Sequence, residues 1–306
     1  MSSQNASFEG VHPILPTPFL EDGALDLESL RRLIDFQLEV GVQGVAILGF
    51  LGEAHKLSDA ERQQVAQTVV EQAGGKIPVS VGVRALGTAG AVEQARQAEA
   101  LGAKSVFVAP IPPQNDAALH AHYRTIARSI SIPVVIHDFP QSFGITLSAE
   151  LIGSLARDGH TPYVKLEEAP VLNKLSRALE YSEGKLGVFG GLGGEYFLEE
   201  LERGSIGIMT GFAFPEVLVK IYEQFKRGDR DGAAATFDKY MPLIRYEFQP
   251  NIGLAFRKHI YWKRGVFATT HIRPPGANLD EYTQIELERI VARVGLELGS
   301  RPSELK

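Results

Sequence analysis

"GVAILGFLGEAHKLSDAERQQVAQTVVEQAGGKIPVSVGV", residues 44–83, decides how this chain is built. Two short runs rich in Val and Ile, 44–49 and 78–83, bracket a longer segment of helical period. Ser58 opens that segment as an N-cap, and Glu61, three residues on, completes a capping box. A strand, a helix and a second strand form the repeating unit of a parallel sheet, because parallel neighbours cannot be joined by a tight turn.

The unit recurs in both directions. "GVHPILPTPF" (10–19) reads as the first strand, and the helix "LDLESLRRLIDFQLEVG" after it offers Leu30, Leu33, Ile34 and Phe36 to a buried side. Downstream strands read at 105–110, 133–138, 163–168, 186–191 and 205–211, each followed by a helical segment. Eight units are complete by residue 228. That number and size match a closed (β/α)8 TIM barrel, which takes about 250 residues. The chain from 229 to 306 keeps helical period without a convincing strand, so it reads as a C-terminal helical segment packed on a 1–228 barrel. The architectural alternative is an open doubly wound sheet. It would more often show a Gly-rich turn after its first strand, and "PTPFLEDG" is not one.

Bulk composition excludes several classes. The 306 residues carry 37 acidic and 31 basic side chains, a net charge of -6, and no basic run, which speaks against a nucleic-acid surface. The absence of cysteine removes disulfides, thiolate catalysis and Cys-ligated zinc. No apolar stretch approaches the ~20 residues that span a bilayer, and "MSSQNASFEG" lacks a basic region followed by an apolar core. A cytoplasmic protein that binds neither membrane nor nucleic acid is expected.

A barrel of this kind works at the C-terminal ends of its strands. Those ends hold Thr17, the run Gly49 to Glu53, Arg84, Ile111, His137 and Asp138, Lys165 to Glu168, Gly191 and Thr210. "TPYVKLEEAP" (161–170) is the unusual one, because an apolar strand ends on Lys165. A buried ammonium is costly unless it is paired or loses its charge. Either Lys165 pairs with Glu167 or Glu168, or its neutral amine attacks a ketone to form a Schiff base. Glu167 lies two residues on and so faces the same side. "GGLGGE" (190–195), before a helix, could cradle an anion, with Gly191 in it, but it is no dinucleotide fingerprint. "HAH" (120–122) makes no credible metal site, since residues two apart on a helix do not share a face.

Three elements carry a resemblance to the dihydrodipicolinate synthase / N-acetylneuraminate lyase family: "TPF" closing the first strand, "GFLGEAHKLSDAER" after the second, and "YVKLEE" on the sixth. The resemblance covers most of the chain. It implies a Schiff-base lyase acting on a 2-oxo acid, with Lys165 as the covalent residue, no metal or organic cofactor, and a homo-oligomer, dimer or tetramer. Four positions depart from the family's synthase. Its G-T-T-G-E threonines are Phe50 and Leu51, its Y-N-x-P tyrosine is His137, its tyrosine pair is Ile111 and Pro112, and its arginine is Ser142. The hydroxyl relay is therefore missing, and condensation of pyruvate with aspartate semialdehyde is not expected. "HDFPQSFGITLSAELIGSLAR", "YVKLEEAPVLNKL" and "FGGLGGEYFLEEL" resemble the L-2-keto-3-deoxyarabonate dehydratase-like branch, which implies a 2-keto-3-deoxy sugar acid and a dehydratase or an aldolase.

By that resemblance, His137 and Glu167 are the general acid–base candidates; their rival roles are a strand-end hydrogen bond and a plain ion pair. The backbone N–H groups of Phe50 and Leu51, between Gly49 and Gly52, would receive the substrate carboxylate. Arg84 supplies either charge or surface, and Asp138 either holds a substrate hydroxyl or caps its loop. A pyruvate-dependent aldolase or synthase is the runner-up. A ligand-binding barrel without catalysis is the reading from another class.

Overall fold

The computed structural model describes residues 8–111 and 115–299. Eight parallel strands occur: β1 Gly10–Val11, β2 Val45–Ile47, β3 Val79–Val83, β4 Ser105–Val108, β5 Val134–Asp138, β6 Tyr163–Leu166, β7 Gly187–Gly190 and β8 Gly207–Ile208. They lie in the order β1-β8-β7-β6-β5-β4-β3-β2. The ring closes where Ile14 bridges Ala46 in parallel and the Leu15 amide donates to the Ala46 carbonyl at 2.8 Å. The fold is thus the (β/α)8 barrel.

The first strand is shorter than the run 10–19 suggests. Pro13, Pro16 and Pro18 have no amide hydrogen to give a ladder. Only Gly10–Val11 pairs regularly, and single bonds carry the rest, such as Ile14 N to Thr210 O at 2.8 Å.

Around the sheet run α1 (Leu27–Val40), α2 (Asp59–Ala73), α3 (Thr88–Ala100), α4 (Asp116–Ala127), the single turn α5 (Pro140–Phe143), α6 (Ala149–Arg157), α7 (Val171–Tyr181), α8 (Phe197–Glu202) and α9 (Pro215–Lys226). Three more helices follow: α10 (Arg230–Glu247), α11 (Gly253–Lys263) and α12 (Glu281–Arg293). Ser58 caps α2, and both bonds of its capping box with Glu61 are present. None of these helices is long and apolar enough to cross a membrane.

Strand parity divides the core. Val134, Ile136, Val164, Leu166 and Val188 face outward into the main core beneath the helices. Ile14, Ala46, Phe107, Val135, Phe189 and Met209 fill the barrel interior. At one end of the interior the Phe8 ring lies 4.8 Å from that of Tyr163 and 5.4 Å from that of Phe189. Two residues along β6 from Tyr163, toward the other end, comes Lys165.

Candidate active site

Inward parity continues from the packed interior into charged side chains. His137 follows Val135 on β5, and Lys165 follows Tyr163 on β6; the two are paired across the strands. β6 stops at Leu166, yet the Glu167 amide still donates to Asp138 O at 2.9 Å, so Glu167 keeps the inward direction. The three side chains form a triangle. Lys165 Nζ lies 2.5 Å from Glu167 Oε2 and 3.2 Å from His137 Nε2, and His137 Nε2 lies 3.1 Å from the same carboxylate oxygen. All three are buried.

Burial pushes the His137 imidazole down to about 4, and the charge of Lys165 adds to that effect. Burial works the other way on Glu167, but the Lys165 charge and the His137 hydrogen bond outweigh it and hold the carboxyl down to about 2. The triangle at neutral pH is therefore a carboxylate, a lysine and a neutral imidazole. The remaining Glu167 oxygen, Oε1, accepts from the Leu192 amide at 3.3 Å.

These groups border a cavity of about 610 Å3. Phe50 and Leu51 line it from the turn after β2, and their amides have no acceptor among the described residues. Gly49 and Gly52 sit behind that turn. A Cβ on Gly49 would lie 3.2 Å from the Phe107 ring, and one on Gly52 would lie 3.0 Å from Leu48 N. Both serve its tight packing and neither borders the cavity. Thr17 locks the turn by donating to Gly52 O at 2.7 Å. Glu53, also buried, ties the turn to the C-terminal segment through Lys258 at 2.5 Å and the Arg273 amide at 3.2 Å.

The other expected residues stand apart from the cavity. Asp138 has the opposite parity to His137 and pairs with Lys174 at 2.7 Å, which also bonds Glu168. Burial pushes Asp138 up to about 6 against that lysine's pull. The Arg84 guanidinium lies over the rings of Phe50 at 5.5 Å and Phe143 at 5.2 Å, beside the site and outside its lining. Gly191 packs on Glu167, so the Gly-rich turn orders a protein carboxylate. Ile111, three residues after β4, is buried and does not line the cavity, whereas Pro112 lies outside the described residues.

The sequence reading missed the contribution of the C-terminal segment. Residues 248–251, 253–255 and 275–277 border the cavity, and Arg257 reaches it from α11. Among the described residues no group of three or more His, Cys, Asp or Glu is arranged to hold a metal ion.

The model of the dihydrodipicolinate synthetase family matches residues 7–294. The chain belongs to that family. Within it, the chain is 30% identical over 302 residues to the L-2-keto-3-deoxyarabonate dehydratase of Azospirillum brasilense, covering 96% of each. It is 31% identical to the 4-hydroxy-tetrahydrodipicolinate synthase of Methanopyrus kandleri, over 94% of this chain and 97% of that one. The crystal structure of dihydrodipicolinate synthase from Rhodopseudomonas palustris superposes with a TM-score of 0.88 at 36% identity, over 93% of this chain and 97% of that one. The family membership agrees with what "YVKLEE" and its neighbours imply.

Proposed function

We propose that the protein is a Schiff-base lyase that acts on a 2-keto-3-deoxy sugar acid, as a dehydratase or an aldolase. The carrying observation is the buried triangle of Lys165, Glu167 and His137 at the edge of the cavity. An amine must shed its proton before it attacks a carbonyl, and the Glu167 carboxylate stands 2.5 Å from Lys165 Nζ to receive it. Attack at C2 and loss of that oxygen as water give the protonated imine, which acidifies C3.

Dehydration then takes a proton from C3 and expels the C4 hydroxyl. Glu167 removes the proton, and the same proton leaves with the hydroxyl as one water. The new C3=C4 bond then shifts to C4=C5 as a C5 proton leaves and C3 takes one up, which gives the enol of the semialdehyde. Hydrolysis of the imine releases that product and restores Lys165. Cleavage would instead take the C4 hydroxyl proton and break the C3–C4 bond. The likeness to an arabonate-type dehydratase over 96% of both chains favours dehydration. The likeness to synthases supports free pyruvate as an alternative substrate. His137 and Ile111 in place of a hydroxyl relay weigh against it. The family also supports a homo-oligomer, dimer or tetramer, which sedimentation velocity reads.

The test is product analysis by NMR after incubation with the two enantiomeric 2-keto-3-deoxypentonates. A C–O-cleaved semialdehyde from one isomer supports the dehydratase, and pyruvate plus an aldehyde supports the aldolase. A folded enzyme that turns over none of them and condenses pyruvate instead contradicts the reading.

A further inference from the structure

Arg257 is buried, at 3% exposure, yet only part of its guanidinium is used by the protein. Nε donates to Gly211 O at 2.6 Å and faces Glu247 Oε1 at 3.1 Å. Nη1 and Nη2 have no acceptor among the described residues, and the side chain lines the cavity that holds Lys165. A guanidinium withdrawn from water with its fork unused is matched to a planar carboxylate.

Its position is set by two glycines. A Cβ on Gly253 would lie 2.5 Å from Nη1, so α11 opens with the residue that leaves room for the fork. A Cβ on Gly211 would lie 2.8 Å from Arg257 Nε and 2.4 Å from Leu51 Cδ1. Arg257 and Leu51 therefore pack on the same glycine, and the guanidinium stands beside the turn whose Phe50 and Leu51 amides lack acceptors. Both Glu247 oxygens are in turn held by the Ala213 amide, at 3.0 and 3.1 Å. The other carboxylates on the cavity are engaged: Glu53 with Lys56 and Lys258, and Glu167 with Lys165.

We infer that Arg257 supplies the positive charge of the pocket for the C1 carboxylate of the 2-oxo acid, acting with the Phe50 and Leu51 amides. Phe50 and Leu51 bring no side-chain donor to that turn, and an arginine from the C-terminal segment takes over the task. The inference rests on the imine chemistry proposed above and adds a recognition residue to it.

The experiment measures imine formation by borohydride trapping at Lys165 with pyruvate and with pyruvamide, its neutral isostere. The wild type should half-saturate at a roughly 100-fold lower concentration of pyruvate. In Arg257→Met that preference should fall below about 10-fold, and Arg257→Lys should recover part of it. A purely structural arginine would change both ligands equally, so an unchanged ratio in folded Arg257→Met overturns the inference. A second reading needs no destabilising variant: the guanidinium 15N signals of Arg257 in the wild type should shift with pyruvate and not with pyruvamide. Equal shifts, or none with pyruvate, also overturn it. If neither ligand is trapped on the wild type, the imine reading itself fails and this inference falls with it; trapping of both ligands equally sinks only the inference.

Discussion

Gly191 lacks a side chain where Glu167 needs the space. A Cβ there would lie 2.3 Å from Glu167 Cγ, closer than such atoms approach. The glycine after β7 thus sets the position of the carboxylate that touches Lys165, and the next amide, of Leu192, holds its free oxygen.

Gly191→Ala should therefore displace Glu167 from Lys165 and His137. Misplacement of a catalytic group by about 1 Å can lower a rate by roughly 100-fold. The expected result is a fall of 10- to 100-fold in kcat with the far-UV circular dichroism unchanged. A kcat equal to that of the wild type would show that Glu167 does not need its present position.

Glu167→Gln separates bond formation from proton removal. His137 still stands 3.2 Å from the amine, so imine formation continues. Proton abstraction at C3 loses its base, and kcat should drop by about 100- to 10,000-fold. Trapping yield and turnover, measured on one preparation, should part company; parallel loss of both would assign Glu167 to imine formation alone.

The pH profile follows from the imidazole. A neutral His137 can take a proton, and burial keeps it neutral until the pH falls to about 4. The acid limb of kcat/KM should lie near that value, well below the usual imidazole range of about 6.5. A limb near 6.5 that disappears in His137→Gln would mean that His137 titrates as an exposed imidazole.

Glu200 gives a stability prediction. It is fully buried, no side-chain donor or cation reaches its carboxyl among the described residues, and a Cβ on Gly190 would lie 1.6 Å from Oε2. Burial, and after it the Glu167 charge, push this carboxyl up from 4.5 to about 8. The fold then keeps a proton that the unfolded chain releases, so stability falls as pH rises from 4.5 to about 8. Glu200→Gln has no such proton to lose. Its melting temperature relative to wild type should climb by a few degrees between pH 5 and 8. A constant difference across that range would contradict the assignment.

Much of this site was legible because strands alternate. Lys165 and Glu167 share a parity, and both face inward. The same rule, applied to the step from His137 to Asp138, points Asp138 outward to Lys174, so its place off the cavity could also have been read. The length of β1 was legible in its prolines, each of which removes a ladder donor. Arg257 was not legible. It sits in "GLAFRKHIYWK", where Arg257, Lys258 and His259 are all buried, and a run of basic residues ordinarily marks a solvated face. Only the packing of α11 over the barrel mouth, fixed by Glu53, Glu247 and Gly211, turns that guanidinium toward the cavity. Likewise the opening choice for Lys165, ion pair or nucleophile, was no choice in three dimensions. The carboxylate that pairs with the amine is also positioned to receive its proton.

The most direct test of the account is borohydride reduction in the presence of pyruvate, read by intact and peptide mass spectrometry. One reduced adduct per chain is expected, on Lys165, and none in Lys165→Ala. An adduct on another lysine, or no adduct on folded wild-type protein with any 2-oxo acid, would contradict it.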